Sequence, residues 1–193
     1  MDDFEKSLRN ITLAPYIVKA TALIGIQRKS GSNMFRHQIS TFGILLDYKI
    51  TDAVLLKASI IHDLFEDAAH LPGVSEYDIK KIDADGAAVY DLVNEVTIRI
   101  INGVKEPKSE YLLRVMRTGS KRAKILKLAD RISNIFALGF VHDVAFVQRY
   151  LQETKDYILP YAEIVNADMF HELTDLVENR GIMLQKIIAA SEI

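Results

Sequence analysis

Apolar residues return every three to four positions along almost the whole chain, the spacing of helices that each bury one stripe. From Leu13 to Gln27 the stripe is Ile17, Val18, Ala20, Leu23 and Ile24, and Ser30-Gly31-Ser32 then breaks it. The pattern predicts a second helix from Asn33 to Tyr48 and a third from Asp52, with Thr51 as its candidate N-cap. Leu71-Pro72-Gly73 reads as a turn, Ser75 followed by Tyr77 to Ile82 as a short helix, and Ala87 to Thr97 as another. Asn102-Gly103 through Pro107 reads as a loop, after which Ser109 opens a helix with Glu110 and Arg114 spaced for an i,i+4 pair. Gly119 precedes a strongly apolar helix from Lys121 to Leu138. The pattern resumes after Gly139 and runs to Tyr157, with Pro160 marking a kink or break. Asp168 to Ala190 is helical again, where Gly181 can interrupt it.

No segment alternates convincingly with the period of two that a strand requires. There is no internal repeat, low-complexity tract or linker. The expectation is an all-α protein in which residues 1–193 form one domain of antiparallel helices and short loops. Its core spans about residues 13–166, and C-terminal helices occupy 168–191.

Composition narrows the class without naming a chemistry. A length of 193 residues with 49% hydrophobic content suits one globular domain with a sizeable core. The formal net charge of −2 supplies no broad basic surface, so nucleic acid is not an expected partner. A compact anion held by a few cations and a metal remains compatible with it. The absence of cysteine removes disulfides, zinc–thiolate sites and thiol nucleophiles together. The acidic opening Met1-Asp2-Asp3-Phe4-Glu5 lacks the basic, then apolar, pattern of a secretory signal. No apolar run approaches the ~18–20 residues of a membrane span. The expectation is a cytoplasmic protein with no membrane partner.

Two helices carry polar groups where apolar ones are expected. In the third helix Val54, Leu55, Leu56, Ala58, Ile60, Ile61, Leu64 and Phe65 leave little polar circumference, so most of it should be buried. Yet it ends His62-Asp63-Leu64-Phe65-Glu66-Asp67, with three carboxylates within about two turns. They repel one another and oppose the helix dipole by ~0.3–1 kcal/mol each. Such an end either meets solvent or is neutralised by a cation. The neighbouring His62 and Asp63 offer the mixed nitrogen and oxygen ligands that borderline divalent metals favour.

The second such helix contains Lys127-Leu128-Ala129-Asp130-Arg131-Ile132-Ser133-Asn134. Asp130 and Asn134 share one face, and Asp130 sits among apolar residues where an unpaired carboxylate is costly. A salt bridge to Arg131 or Lys127, a surface position and a metal site all satisfy that pattern. His70, His142 and His171 read as surface or structural residues, and Arg28-Lys29 either compensates a helix C-terminus or clamps a phosphate and base.

Taken in order, these segments resemble the HD phosphohydrolase superfamily. More narrowly, they are similar to the hydrolase domain of the Rel/SpoT alarmone enzymes and to stand-alone small alarmone hydrolases. The matching stretches are Arg28-Lys29-Ser30-Gly31 with His37, His62-Asp63-Leu64-Phe65-Glu66-Asp67, Leu92-Val93-Asn94-Glu95-Val96-Thr97, and Lys127 through Asn134. Weaker similarity continues through Glu153-Thr154 and Leu159-Pro160-Tyr161-Ala162.

The resemblance implies one Mn²⁺ bound by His37, His62, Asp63 and Asp130, with Glu66 and Asp67 assisting water activation and proton transfer. It places Arg28 and Lys29 near the base and phosphates and Asn134 near the sugar. Met34 and Gln38 stand where the family often has Tyr and Pro, Ser133 replaces a common His, and Ala137 a common Thr. No synthetase region follows, so the resemblance implies degradation without synthesis. The implied reaction is removal of the 3′-pyrophosphate of (p)ppGpp to give GDP or GTP. Another nucleotide phosphohydrolase of the superfamily, acting on an adenine alarmone, NADPH or a nucleoside monophosphate, would share the metal set. A catalytically idle alarmone-binding regulator is the reading from a different class.

Overall fold

The computed structural model describes residues 2–191, which fall into two compact units, 2–28 with 32–105 and 29–31 with 106–191. Both are helical, and a single two-stranded hairpin is the only sheet among the described residues.

The first unit opens with α1 (Asp3–Leu8), closed by a reciprocal capping box between Asp2 and Glu5. Helix α2 (Ala14–Ala20) passes into a tight 3₁₀ turn over Thr21–Leu23 and does not reach Gln27 as the periodicity predicts. The chain pairs across the Ser30-Gly31-Ser32 turn instead. The Arg28 N–H donates to the Ser32 carbonyl at 2.7 Å and the Met34 N–H to Ile26 at 2.9 Å. Gly31 supplies the required φ of +80°.

Helix α3 (Met34–Asp47) starts as expected, with the Asn33 side chain accepting from the Arg36 N–H. Helix α4 (Ala53–Ile61) is capped one residue later than expected, by Asp52, whose carboxylate accepts from the Leu55 N–H at 3.0 Å. Its residues Val54 to Ile61 are all buried, because α2, α3 and α7 pack around it. Helices α5 (Leu64–Asp67), α6 (Glu76–Lys80) and α7 (Gly86–Val96) follow. Tyr16, Leu23, Leu45, Leu56, Ile60, Ile61, Leu64, Val89 and Val93 make the core.

One cation interrupts that core. Lys57 is buried on α4, with its ammonium 2.8 Å from Asp83 and 2.7 Å from Asp85, while the Tyr16 hydroxyl donates to Asp83 at 2.8 Å. Burial pulls the ammonium pKa down, but the two carboxylates outweigh it and hold Lys57 above its ordinary value.

The unit ends in a hairpin of β1 (Ile100–Ile101) and β2 (Val104–Lys105), Ile101 facing Val104. This corrects the loop read from sequence. Strands of two residues are too short to display a period. The informative signal was Asn102-Gly103, whose φ values of 51° and 79° are those of a two-residue hairpin turn.

In the second unit α8 (Lys108–Leu113) continues into a widened π turn over Arg114–Thr118. Arg114 does not pair with Glu110. It makes a two-pronged contact with Glu106, Nε at 2.8 Å and Nη2 at 2.9 Å, because a carboxylate ahead of the helix can meet the guanidinium fork in plane. Helix α9 (Lys121–Ala137) is capped by Ser120, and α10 (Val144–Tyr157) by Asp143. The break expected at Pro160 is present: α10 ends at Tyr157, Ile158 departs to φ −112° and ψ −59°, and Pro160 lies in the first turn of a new helix, α11 (Leu159–Val165), where no helical N–H is needed. Helix α12 (Ala167–Ser191) runs through Gly181 without interruption. Arg180 from α12 donates to the Phe136 carbonyl at 2.9 Å, covering the end of α9, and a side chain at Gly139 would collide with it. No described helix is long and apolar enough to cross a membrane.

Candidate metal centre

The polar cluster at the end of α4 arises from a break in the helix. α4 stops at Ile61, and Asp63, with φ −97° and ψ 2°, leaves helical geometry before α5 begins at Leu64. The sequence pattern had joined these into one helix. The break turns His62 and Asp63 together toward α3, where His37 is buried one turn from the N-cap.

Three donors of the first unit therefore converge. Asp63 Oδ2 lies 3.5 Å from His37 Nε2 and 3.2 Å from His62 Nε2, and the two imidazoles meet edge to face with centroids 5.1 Å apart. His62 Nδ1 sits 2.8 Å from the Ser59 carbonyl. A carbonyl only accepts, so Nδ1 carries a hydrogen there, and in the neutral ring Nε2 points a lone pair toward the carboxylate. Lone pairs of a buried nitrogen and a carboxylate at that separation call for a cation to join them. Two imidazoles and a carboxylate are also the donor types of a borderline divalent ion, and the donor set fits one.

Beyond the break, Glu66 and Asp67 are treated differently by the fold. Glu66 is exposed, but its Oε1 accepts the Ile98 N–H at 2.9 Å, which fixes its direction. Asp67 is half-buried, and its pKa is pushed up to about 6. Burial is the main cause, with the charges of Asp63 and Glu66 adding and Lys105 and His62 opposing. A carboxyl poised there can take and return a proton near neutrality.

In the second unit Asp130 is buried mid-helix on α9. Lys127 Nζ lies 2.8 Å from its Oδ2, and the Asn134 amide donates to its Oδ1 and, at 3.0 Å, to its backbone carbonyl. Burial works against the Lys127 charge, but Asp130, helped by Tyr111, raises its pKa above the ordinary value. The salt bridge foreseen to Lys127 is thus formed, and that to Arg131 is not. Arg131 stacks on Tyr150 at 4.2 Å and reaches Thr154 at 3.3 Å. His37, His62 and Asp130 are each buried and offer an atom of the kind that can hold a metal.

Arg28 is half-buried in the first unit, whereas Lys29, in the second, extends over the Phe146 ring at 4.2 Å and approaches Asp143 at 4.0 Å. His70, His142 and His171 are exposed. Sequence reasoning missed the supports, namely the Ser59 carbonyl, the Ile98 N–H and Gln38, which donates to Asp63 at 2.9 Å. The first two are backbone groups and leave no trace in residue identity.

A helical scaffold that presents a His-Asp doublet beside a second histidine, followed by an acidic pair, is that of an HD-type phosphohydrolase. No protein-family model matches the chain. Two curated relatives do, both named guanosine-3′,5′-bis(diphosphate) 3′-pyrophosphohydrolase MESH1. The Drosophila melanogaster protein is 30% identical over 155 residues, covering 76% of this chain and 80% of the relative. The Mus musculus protein is 27% identical over 159 residues, covering 80% and 84%. A solved structure described as a metazoan ortholog of SpoT that hydrolyzes ppGpp superposes with a TM-score of 0.70 at 25% identity, covering 94% of this chain and 97% of that one. The chain belongs to the MESH1 family of guanosine-3′,5′-bis(diphosphate) 3′-pyrophosphohydrolases.

Proposed function

We propose that this chain removes the 3′-pyrophosphate of (p)ppGpp, yielding GDP or GTP and pyrophosphate, with both units acting as one hydrolase domain. The observation that carries the reading is the convergence of His37 and His62 on one oxygen of Asp63, immediately ahead of the Glu66-Asp67 pair. We assign Asp130 as the fourth ligand by its place in the family's motif order, and Mn²⁺ as the ion. When bound, the ion supplies an acidified water and positive charge against the phosphate oxygens.

The protein's own groups do the rest. The Ser59 carbonyl fixes the His62 tautomer, so that Nε2 would be the atom to hold the ion. Asp67, with its raised pKa, accepts the proton of the attacking water as that oxygen bonds to the phosphorus nearest the ribose. The bond from that phosphorus to the 3′ oxygen breaks, and a proton returns to the 3′ oxygen through the acidic pair. Glu66, tethered to Ile98, orients the water. Arg28 stacks on the base, Lys29 meets the phosphates, and Asn134 faces the sugar while its amide holds Asp130.

Purified protein incubated with Mn²⁺ and a nucleotide panel tests this. Pyrophosphate released from ppGpp is the expected result. Orthophosphate released only from an adenine alarmone, NADPH or a nucleoside monophosphate overturns the substrate. Tight ppGpp binding with no product at saturating Mn²⁺ overturns the enzymatic reading.

A further inference from the structure

Gln38 follows His37 on α3 and is fully buried. A side-chain amide withdrawn from water needs partners at both ends. Its Nε2 donates to Asp63 Oδ2 at 2.9 Å, and its Oε1 faces the Asp63 backbone N–H at 3.5 Å, the outer limit of a hydrogen bond. Both ends of one amide therefore engage one residue. The opposite amide orientation would set Oε1 against a carboxylate oxygen, so the charge of Asp63 dictates the arrangement.

The oxygen that Gln38 engages is the same one that faces His37 Nε2 and His62 Nε2. A carboxylate oxygen has two lone pairs in its plane. The amide takes one, and the other is left in the direction of the imidazoles. Asp63 retains 20% exposure of its side chain, so without that tether the carboxylate can rotate toward water. Residue 63 also lies at the break between α4 and α5, where its N–H has lost the regular helical ladder.

We propose that Gln38 is a positioning residue for the metal centre, setting the Asp63 carboxylate so that Oδ2 faces the two imidazoles. This rests on the reading of Asp63 as a ligand. Gln38 acts through Asp63, which both ends of its amide engage. Its effect is on how often the donor set is assembled before the ion arrives, so its loss weakens metal binding more than turnover.

Gln38→Met removes the donor while keeping an unbranched chain of similar volume, and Gln38→Glu keeps the size and puts oxygen against oxygen. The measurements are Mn²⁺ affinity by calorimetry in mildly alkaline buffer, thermal melting of the metal-free protein, and ppGpp turnover against Mn²⁺ concentration. Both variants should bind Mn²⁺ ~10–100-fold more weakly, the range for loss of a partner that orients a ligand. Excess Mn²⁺ should restore turnover. Wild-type affinity in folded Gln38→Met and Gln38→Glu overturns the proposal, as does a lowered melting temperature with affinity unchanged. Asp63→Ala separates the two readings. If it binds Mn²⁺ as wild type does, the ligand assignment is wrong. If it loses Mn²⁺ while the Gln38 variants keep it, only the role of Gln38 is wrong.

Discussion

Helices α4 and α9 are both buried, and both are associated with a carboxylate assigned to the metal, but they keep it in different ways. Asp130 sits inside an unbroken helix and is satisfied by Lys127 and Asn134, three and four residues away on the same face. Asp63 sits where α4 has stopped, and its partner Gln38 is 25 residues distant on another helix. A carboxylate held by its own helix is oriented by local geometry alone. One held across helices is oriented only when the unit has packed, and in exchange the break frees both His62 and Asp63 to face a second histidine.

The largest expected effect comes from removing the carboxylate proposed as a ligand at the break. Asp63→Ala should cost more Mn²⁺ affinity than the ~10–100-fold of an outer partner, and ppGpp hydrolysis should go with it. Metal titration and pyrophosphate release measure this. Retained metal content would place the centre elsewhere.

The acidic pair beyond the break should behave otherwise. Glu66→Ala and Asp67→Ala should keep bound Mn²⁺ and lose ~10²–10⁴-fold in turnover. Parallel loss of metal and turnover would move these residues into the ligand set.

On α9 the expected effect is on stability. Lys127→Met leaves the buried Asp130 without its cation and should destabilise the metal-free protein by about 3–5 kcal/mol. Denaturant unfolding checks it, and added Mn²⁺ should recover part of the loss, because the ion takes over the neutralising role. A variant as stable as wild type would mean that the helix does not depend on the pair.

The smallest effect follows from Asp67. Its pKa in the folded protein, about 6, lies above the usual carboxylate value. The group therefore favours folding below the unfolded pKa, and that contribution is lost as pH rises through about 6. Metal-free Asp67→Asn should melt higher than wild type above that pH, and the difference should vanish near pH ~4. Because the side chain is half-exposed, the gain is small, roughly 1 kcal/mol after allowance for screening. Melting curves across pH decide it, and a difference that grows toward acid would reverse the assignment.

Much of this was legible along the chain. The 3.6-residue rhythm located α3, α7, α9 and α12, because amphipathic burial imposes it locally. The apolar circumference of α4 announced a helix surrounded by others, and the position of Asp130 on an apolar face announced that it needed a partner. The ordered motifs from His37 to Asn134 were sufficient to expect an alarmone hydrolase, which agrees with the family of its relatives.

What only the tertiary structure decided depends on groups far apart in the chain or on the backbone. Periodicity carried α4 straight through to Asp67, because one helical interruption at a polar doublet barely disturbs the pattern. The break shows up only in the dihedral angles of Asp63. Gln38 stood in the sequence as a polar residue beside a candidate ligand. Its amide acquires a function from Asp63, brought within 2.9 Å by the packing of α3 on α4. The tautomer of His62 depends on the Ser59 carbonyl, the direction of Glu66 on the Ile98 N–H, and the raised pKa of Asp67 on its burial. Residue identity determined which donors this protein has. Helix packing determined which lone pair each of them presents, because hydrogen-bond direction and desolvation are properties of neighbours in space.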